Sequence, residues 1–457
     1  LDTFSVFKVS HNSFKLKSIW IVMKRTYIEN VFREKGKVQI EGFIHEIRDQ
    51  SKVKFIMIRD VTGIIQCVVK PEQKKIFEEI VKVPRESVIR INGEIKVSKQ
   101  APDGAEILVS DYEVLSEADS PLPIAVVDKD SSDVTLPKRL DWRCLSLRSQ
   151  KSQAIFKIQS KIIEGMQEWL NENGFIQVFT PALMGVASES GSEVFEVKYF
   201  KTKAYLRQDP QLHRQLTIAG GFEKVYDIGT SWRAEKSHTV RHLCEHRTCA
   251  VELAFIDSEK DVMRIEEQVV ISAFEKINKD CKNELKELGI ELKIPKAPFP
   301  EITFPEVYKI LEKMGRKIRE GEDLDSDAEK LLWKYVQEKY PNVDFYFLNK
   351  FPFKKKPFYV MGEDDSLYAR STDLYYKGIE MSSGGQRENR YDKLMENINS
   401  KNVNPKSVEW FTKFFKYGVP THGGFAIGIE RLTMVLLGLE NIREAVLFPR
   451  DTERIMP

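Results

Sequence analysis

The sequence predicts an α+β protein: a small N-terminal barrel of five β-strands, then a hinge, then a larger domain with a central antiparallel sheet flanked by helices. Three observations carry this. Residues 31–115 hold five short, turn-punctuated runs rich in β-branched residues. Residues 152–173 repeat apolar side chains at helical spacing and stop at Gly174. Beyond that point helical and strand-like segments mix without the regular alternation that a parallel sheet requires.

The barrel runs fall at 38–44, 55–58, 64–69, 88–97 and 107–114, with turns at Thr62-Gly63 and Pro102-Asp103-Gly104 and one helical piece near 72–81. Five strands in so short a stretch suit an OB-type barrel. Residues 116–145, with Pro121, Pro123, Pro137 and a Ser-rich acidic stretch, read as the hinge, and 1–30 as an N-terminal extension. Residues 1–22 mix apolar residues with the basic Lys8, Lys15 and Lys17, have Asp2 as their only acid and lead to Met23, so they read as a short extension or a targeting presequence. In the larger domain, 146–457, Ser152 is placed to cap the first helix, whose face is Ile155, Ile158, Ile162, Met166 and Trp169. A strand is expected at 175–179, ending at Pro181. Residues of about 285–345 read as a helical insertion, and its acidic run from Glu320 to Asp327 as a solvated turn.

The 457 residues allow two or three domains. With 42% hydrophobic and 31% charged residues the composition is globular, and nothing approaches eighteen continuous apolar residues, which argues against a membrane helix. Cys67, Cys144, Cys244, Cys249 and Cys281 form no CxxC pair, so a disulfide scaffold and a structural zinc site are poorly supported and a reducing, cytoplasmic setting is expected. The net charge of +2 conceals 71 Lys and Arg, so local basic patches for a nucleic acid remain open.

Neither GxxxxGK[ST] nor GxGxxG is present, so any ATP site must be of another kind. Three charged constellations stand out. Arg233, Glu235, Arg241, His242 and Glu245 lie between two strand-like segments, where a guanidinium fork suits phosphate or carboxylate. Asp373, Glu380 and Ser383 make a hard oxygen set suited to Mg²⁺, and Arg387 follows Gly384-Gly385, which lets backbone approach a ligand closely. Gly428-Ile429-Glu430-Arg431 ends a Gly-rich strand and opens an apolar helix. Taken singly, the first is also open to a surface hairpin with salt bridges and the second to ordinary ion pairs.

In this order the three resemble the signature motifs of class IIb aminoacyl-tRNA synthetases. The helix 152–173 with Pro181 resembles the first motif, Arg233-Ala234-Glu235 with Arg241-His242 the second, and Gly428 to Arg431 the third. Within the class, Ser188-Glu189-Ser190-Gly191, Pro210-Gln211-Leu212 with Gln215, the stretch from Glu380 to Arg387, and Leu447-Phe448-Pro449-Arg450-Asp451 resemble aspartyl-tRNA synthetases of archaeal and eukaryotic-cytosolic type. The resemblance covers residues 24–457. It implies ATP and Mg²⁺ as cofactors, L-aspartate and tRNA-Asp (with tRNA-Asn open) as partners, and a homodimer built on the first motif.

By resemblance, Arg233, Glu235 and Arg431 are catalytic. ATP falls to Arg233, Glu235, Arg241, His242, His246, Glu380 and Arg431. Mg²⁺ falls to Asp373, Glu380 and Ser383. The amino acid falls to Ser188, Glu189, Gln211, Arg214, Arg233, Ser383 and Arg387. Arg48, Phe55, Gln66 and Glu86 fall to the anticodon. The chain departs from the family at Arg214, where lysine is usual, at Asp209, where a small residue is usual, at His246, where an aromatic often stacks on adenine, and at Ala250, where aspartyl enzymes carry aspartate. Asparaginyl or lysyl specificity, or a tRNA-binding paralogue without catalysis, are the alternatives.

Overall fold

The computed structural model describes residues 25–456, except 100, 103, 127–133, 187–193 and 238. The extension 1–22 therefore lies outside the described residues. The chain divides into two compact units, one ending at Pro123 and the other starting at Ile124.

The first unit is a closed barrel. Its strands are β1 (Lys37–Gln50), β2 (Val53–Arg59), β3 (Ile64–Val69), β4 (Val88–Val97) and β5 (Ala105–Ser116), in the order β1-β2-β3-β5-β4. Alternation along the strands sends Ile40, Ile44, Ile56, Ile58, Ile89, Ile91 and Ile107 inward, all fully buried. Each such side chain contributes roughly 1.5–3 kcal/mol of burial. The helical piece is shorter than expected, Lys74–Glu79 with a 3-10 turn after it.

In the second unit two short helices, Leu136–Asp141 and Arg143–Ser146, precede the long helix α1 (Gln150–Glu172). Its cap is Ser149, whose side chain accepts from the Ser152 N–H, so Ser152 is the bonded partner of the cap rather than the cap itself. The strand β6 (Ile176–Gln177) is only two residues long, with one further bond from the Val178 N–H to the Tyr226 carbonyl at 2.9 Å. A small sheet of β7 (Leu183–Met184), β8 (Glu196–Tyr199) and β9 (Thr202–Leu206) leads to α2 (Gln211–Ala219). Next come β10 (Lys224–Trp232), β11 (Glu245–Ala254) and the long helix α3 (Glu259–Asp280), held at its start by a capping box of Ser258 and Asp261.

The inserted part carries β12 (Glu301–Thr303), α4 (Phe304–Lys313) and α5 (Ser326–Lys339). The chain returns through β13 (Phe345–Asn349), β14 (Ser371–Tyr376), β15 (Ile379–Gln386), β16 (His422–Gly428) and α6 (Ile429–Leu437). The eight-stranded sheet runs β12-β13-β14-β15-β16-β11-β10-β6 and is antiparallel except at its two ends.

The apolar face of α1 is consumed inside the molecule. Ile158, Ile162 and Met166 join Val269, Val270, Ala273 and Phe274 of α3 in one core. At Gly165 a Cβ would lie 2.9 Å from the Ala273 Cα, so glycine is what lets the two helices come this close. The expectation that this face meets a second subunit is therefore corrected, since its side chains are already covered. All five cysteines are free thiols, and among the described residues no helix is long and apolar enough to cross a membrane.

Candidate active site

The strands β10, β11, β15 and β16 form the floor of a cavity of about 320 Å³. Arg233, Glu235, Arg241, His242, His246, Gln211, Glu380, Ser383, Arg387 and Arg431 all line it. Residues more than two hundred positions apart are thus brought together. Ser188 and Glu189 lie outside the described residues.

At one end of the cavity sits Arg387, only 4% exposed. Its Nε donates to Glu252 Oε1 at 3.1 Å, and its Nη2 to the Gly424 carbonyl at 2.9 Å and to Gln211 Oε1 at 3.2 Å. Gln211 Nε2 in turn donates to Glu252 Oε2 at 2.8 Å. Glu252 was not singled out as a site residue. The available signal was an acid inside the apolar run 249–254, which the structure explains as the buried counter-ion of Arg387. A Cβ at Gly424 would lie 2.4 Å from Glu252 Oε2, so only glycine admits this carboxylate.

Arg214 is fully buried and does not line the cavity, which corrects its expected place against the substrate. It is tied by two parallel hydrogen bonds of 2.9 and 2.8 Å to Asp209, which does line it. The two departures from the family pattern, Asp209 and Arg214, are therefore one ion pair, with Arg214 buried behind Asp209.

At the other end lie the phosphate-type groups. Arg233 follows directly on β10 and is exposed, with no hydrogen bond or ion pair on its guanidinium among the described residues. Arg431, in the first turn of α6, donates to the Glu380 carbonyl at 2.9 Å. Glu430 beside it is buried and accepts from the Arg247 N–H at 2.9 Å and from its Nη1 at 3.0 Å, pinning α6 to β11. His242 Nδ1 lies 2.6 Å from Thr239 Oγ1. His246 is pushed down to about 4 by burial, with Arg233 and Arg431 adding to it, so its ring is neutral at pH 7.

The carboxylates expected to hold a cation are not equivalent. Glu380 and Ser383 line the cavity, whereas Asp373 is buried below them, opposite Ser383 in the ladder. Its carboxyl is pushed up to about 6 by burial, against the pull of Lys356. Lys356 Nζ donates to both of its oxygens, at 3.1 and 2.9 Å. Lys356 had no sequence signal, since it ends a run of three lysines that reads as solvated. Mg²⁺ is typically held by one or two carboxylates plus phosphate oxygens; Glu380 and Ser383 present such oxygens to the cavity, whereas both oxygens of Asp373 are taken by Lys356. The Gly384-Gly385 pair serves packing: an added Cβ would meet the Gly424 carbonyl at 2.8 Å or the Arg370 carbonyl at 2.4 Å.

In the barrel, Phe55 is half-buried and sits opposite Arg48 and Val68. Arg48 is exposed and paired with Glu46. Gln66 is buried and donates to Glu106 at 3.0 Å, and Glu86 is buried and takes two bonds from Arg59. Of the four anticodon candidates, Phe55 and Arg48 present accessible surface, while Gln66 and Glu86 are largely engaged inside.

Residues 135–452 match the family of class II tRNA synthetases (D, K and N), and residues 38–115 match the OB-fold nucleic acid binding domain. The chain belongs to the class II aminoacyl-tRNA synthetases of the aspartyl/asparaginyl type. The synthetase is 41% identical over 440 residues to an aspartate–tRNA(Asp/Asn) ligase of Methanopyrus kandleri, covering 95% of this chain and all of that one. It is 42% identical over 442 residues to an aspartate–tRNA(Asp) ligase of Pyrococcus furiosus, with the same coverage. Among solved structures it resembles the asparaginyl-tRNA synthetase of Pyrococcus horikoshii bound to asparaginyl-adenylate, with TM-score 0.88, 33% identity, and 95% and 100% of the two chains covered. A putative aspartyl-tRNA synthetase of Leishmania major matches with TM-score 0.85 at 26% identity, covering 99% and 98%. The synthetase is thus a catalytic ligase, and ATP use comes with its class.

Proposed function

We propose that this synthetase activates L-aspartate with ATP and transfers it to the 3′ end of tRNA-Asp. The carrying observation is Arg387, a guanidinium buried at the closed end of the cavity. Glu252, Gln211 and the Gly424 carbonyl hold Nε and Nη2 and leave Nη1 without a hydrogen bond among the described residues. A planar cation so fixed suits a side-chain carboxylate. A lysine side chain would meet this cation instead of an anion, which disfavours a lysyl enzyme. The naming of the similar archaeal chains as aspartate ligases supports the same reading.

The activation step needs no general base, because the substrate α-carboxylate is already a nucleophile. One of its oxygens attacks the α-phosphorus, the bond to the bridging β-phosphate oxygen breaks, and pyrophosphate leaves. Arg233 holds the α-phosphate and α-carboxylate together, so positioning supplies much of the rate. Arg431 and His242 take the phosphate tail, and neutral His246 offers its ring to the adenine. Glu380, with Ser383, would hold Mg²⁺, which supplies charge neutralisation on the phosphates when bound.

A homodimer remains part of this proposal, but through a different surface of the first motif. Ile176, Phe179 and Phe222 are 52%, 85% and 44% exposed, and Phe179, Pro181, Leu216 and Phe222 share an apolar groove. Exposed apolar area of this kind favours an interface.

The test is ATP–pyrophosphate exchange with aspartate, asparagine and lysine. Exchange with aspartate alone is expected. Exchange led by asparagine would overturn the substrate, and none with any amino acid would overturn the reading altogether.

A further inference from the structure

A bound α-amino acid brings an ammonium group that needs an anionic or carbonyl acceptor in a desolvated site. Four carboxylates line the cavity among the described residues: Asp209, Glu235, Glu380 and Glu430. Glu430 is 2% exposed and is committed to Arg247. Glu380 lies beside Arg431, and Glu235 acts electrostatically on His242, so both belong to the phosphate end. Glu252, under Arg387, is fully buried with both oxygens bonded and does not reach the cavity. On β11 the alternation that turns His246 and Thr248 to the cavity next brings Ala250, which offers only a methyl group.

Of the carboxylates among the described residues, Asp209 is what remains. Its side chain is 24% exposed, and the charges of Arg233 and Arg387 both reach it, so it lies within range of both groups expected to hold the substrate's two carboxylates. It stands just ahead of α2, where Arg214 rises from the first turn of that helix and grips both of its oxygens. Each oxygen keeps one further lone pair for a donor in the cavity. Arg214 Nη2 also donates to Gln211 Oε1 at 2.8 Å, which joins Asp209 through Gln211 and Glu252 to Arg387 in one network.

We infer that Asp209 accepts the α-ammonium of the amino-acid substrate, with Arg214 as the buried clamp that orients its carboxylate. This rests on the cavity being an α-amino-acid site, as proposed above. Asp209 then defines affinity for the amino acid rather than for ATP. It also compensates for the missing carboxylate at Ala250.

The experiment compares the unaltered enzyme with Asp209→Asn and with the double variant Asp209→Asn/Arg214→Gln, which removes both charges of the clamp. Exchange kinetics give KM for aspartate and for ATP. Inhibition by succinate, which has both carboxylates and no ammonium, gives a reference without the group in question. In Asp209→Asn, KM for aspartate should rise roughly 10- to 100-fold, the usual range for losing a hydrogen bond to a charged group. KM for ATP and the succinate inhibition constant should stay within about threefold, well under the 1.4 kcal/mol of a tenfold change. The double variant should remain as weak for aspartate as the single one.

Recovery of KM for aspartate in the double variant would overturn the inference, because Asp209 would then serve only to neutralise Arg214. Parallel loss of aspartate and succinate would also overturn it, marking a structural role. The inference and the broader reading fail differently: normal exchange by the unaltered enzyme with an unchanged KM in Asp209→Asn refutes only the former, whereas no exchange by the unaltered enzyme refutes the latter.

Discussion

Lys356 grips Asp373 by both carboxylate oxygens, its Nζ lying 3.1 and 2.9 Å away in a site where the two side chains are 11% and 5% exposed. The pair makes Asp373 a held charge below the cavity floor, with Lys356 as the cation bonded to it and Ser383 as a second hydrogen-bond partner. Lys356→Met should leave an uncompensated buried carboxylate and cost about 3–5 kcal/mol. Urea unfolding at pH 8 measures this, and Lys356→Met/Asp373→Asn should recover most of the loss. A single variant as stable as the unaltered protein would show that the pair carries no stability.

The neutral ring of His246 leads to a pH-dependence of stability. Its pKa is about 4 in the folded protein against 6.5 when unfolded. Between those values the unfolded chain binds a proton that the folded one refuses, so this group's contribution is fully present above pH 6.5 and is lost as pH falls through 4. The full effect is up to about 3 kcal/mol. His246→Phe should flatten the stability profile between pH 6.5 and 4. Superimposable profiles for the two proteins would refute the assignment.

These two residues also mark where the sequence was legible and where it was not. Short β-branched runs between turns made the barrel legible, and its core is Ile40, Ile44, Ile56 and Ile58 among others. Ordered motifs, read by resemblance, brought Arg233, Glu380, Ser383, Arg387 and Arg431 to one cavity. Lys356 escaped because a loop lysine seventeen positions before Asp373 leaves no periodic trace. Asp209 and Arg214 were each visible as departures, but their bond depends on how α2 begins. The apolar stripe of α1 announced that a face is buried without saying against what, and α3 rather than a second chain is the answer.

That outcome moves the expected subunit interface to the exposed groove around Phe179 and Phe222. The loop carrying Phe179 is braced from behind, where Arg207 donates to the Thr180 hydroxyl at 2.6 Å and to its carbonyl at 3.1 Å. Phe179→Asp/Phe222→Asp should turn a micromolar dimer into a monomer in sedimentation velocity while circular dichroism stays unchanged. A monomer before any substitution would refute the dimer, and a dimer that survives both would place its interface elsewhere.

Phe55 should act on tRNA alone. It is half-buried on β2, next to the exposed Arg48, and a ring so placed can stack on an unpaired base. Phe55→Ala should raise KM for tRNA by an amount equal to about 1–3 kcal/mol of stacking, with amino-acid exchange unaffected. Equal damage to exchange would mean that the ring only supports the barrel.

We expect the choice between tRNA-Asp and tRNA-Asn to be made in the barrel as well. The relatives differ on it, since the Methanopyrus kandleri chain is named for both tRNAs and the Pyrococcus furiosus chain for tRNA-Asp alone, at nearly equal identity to this one. The two anticodons differ in a single base, so few contacts decide. In this chain Phe43 packs 5.6 Å from the guanidinium carbon of Arg59, whose Nη1 lies 2.8 Å from His45 Nδ1 and whose Nη2 is held by Glu86. Burial and Arg59 lower the pKa of His45, so the imidazole is neutral at pH 7. A ring and a cation fixed this firmly cannot rearrange cheaply for a second base. We therefore expect preference for tRNA-Asp, on the scale of one base contact, roughly 1–3 kcal/mol. The deciding quantity is the ratio of kcat/KM for aspartylation of the two transcripts. A ratio above about tenfold fits that energy. Values within about threefold, under 1 kcal/mol, would mean that the fixed cluster does not read the differing base and that the enzyme charges both.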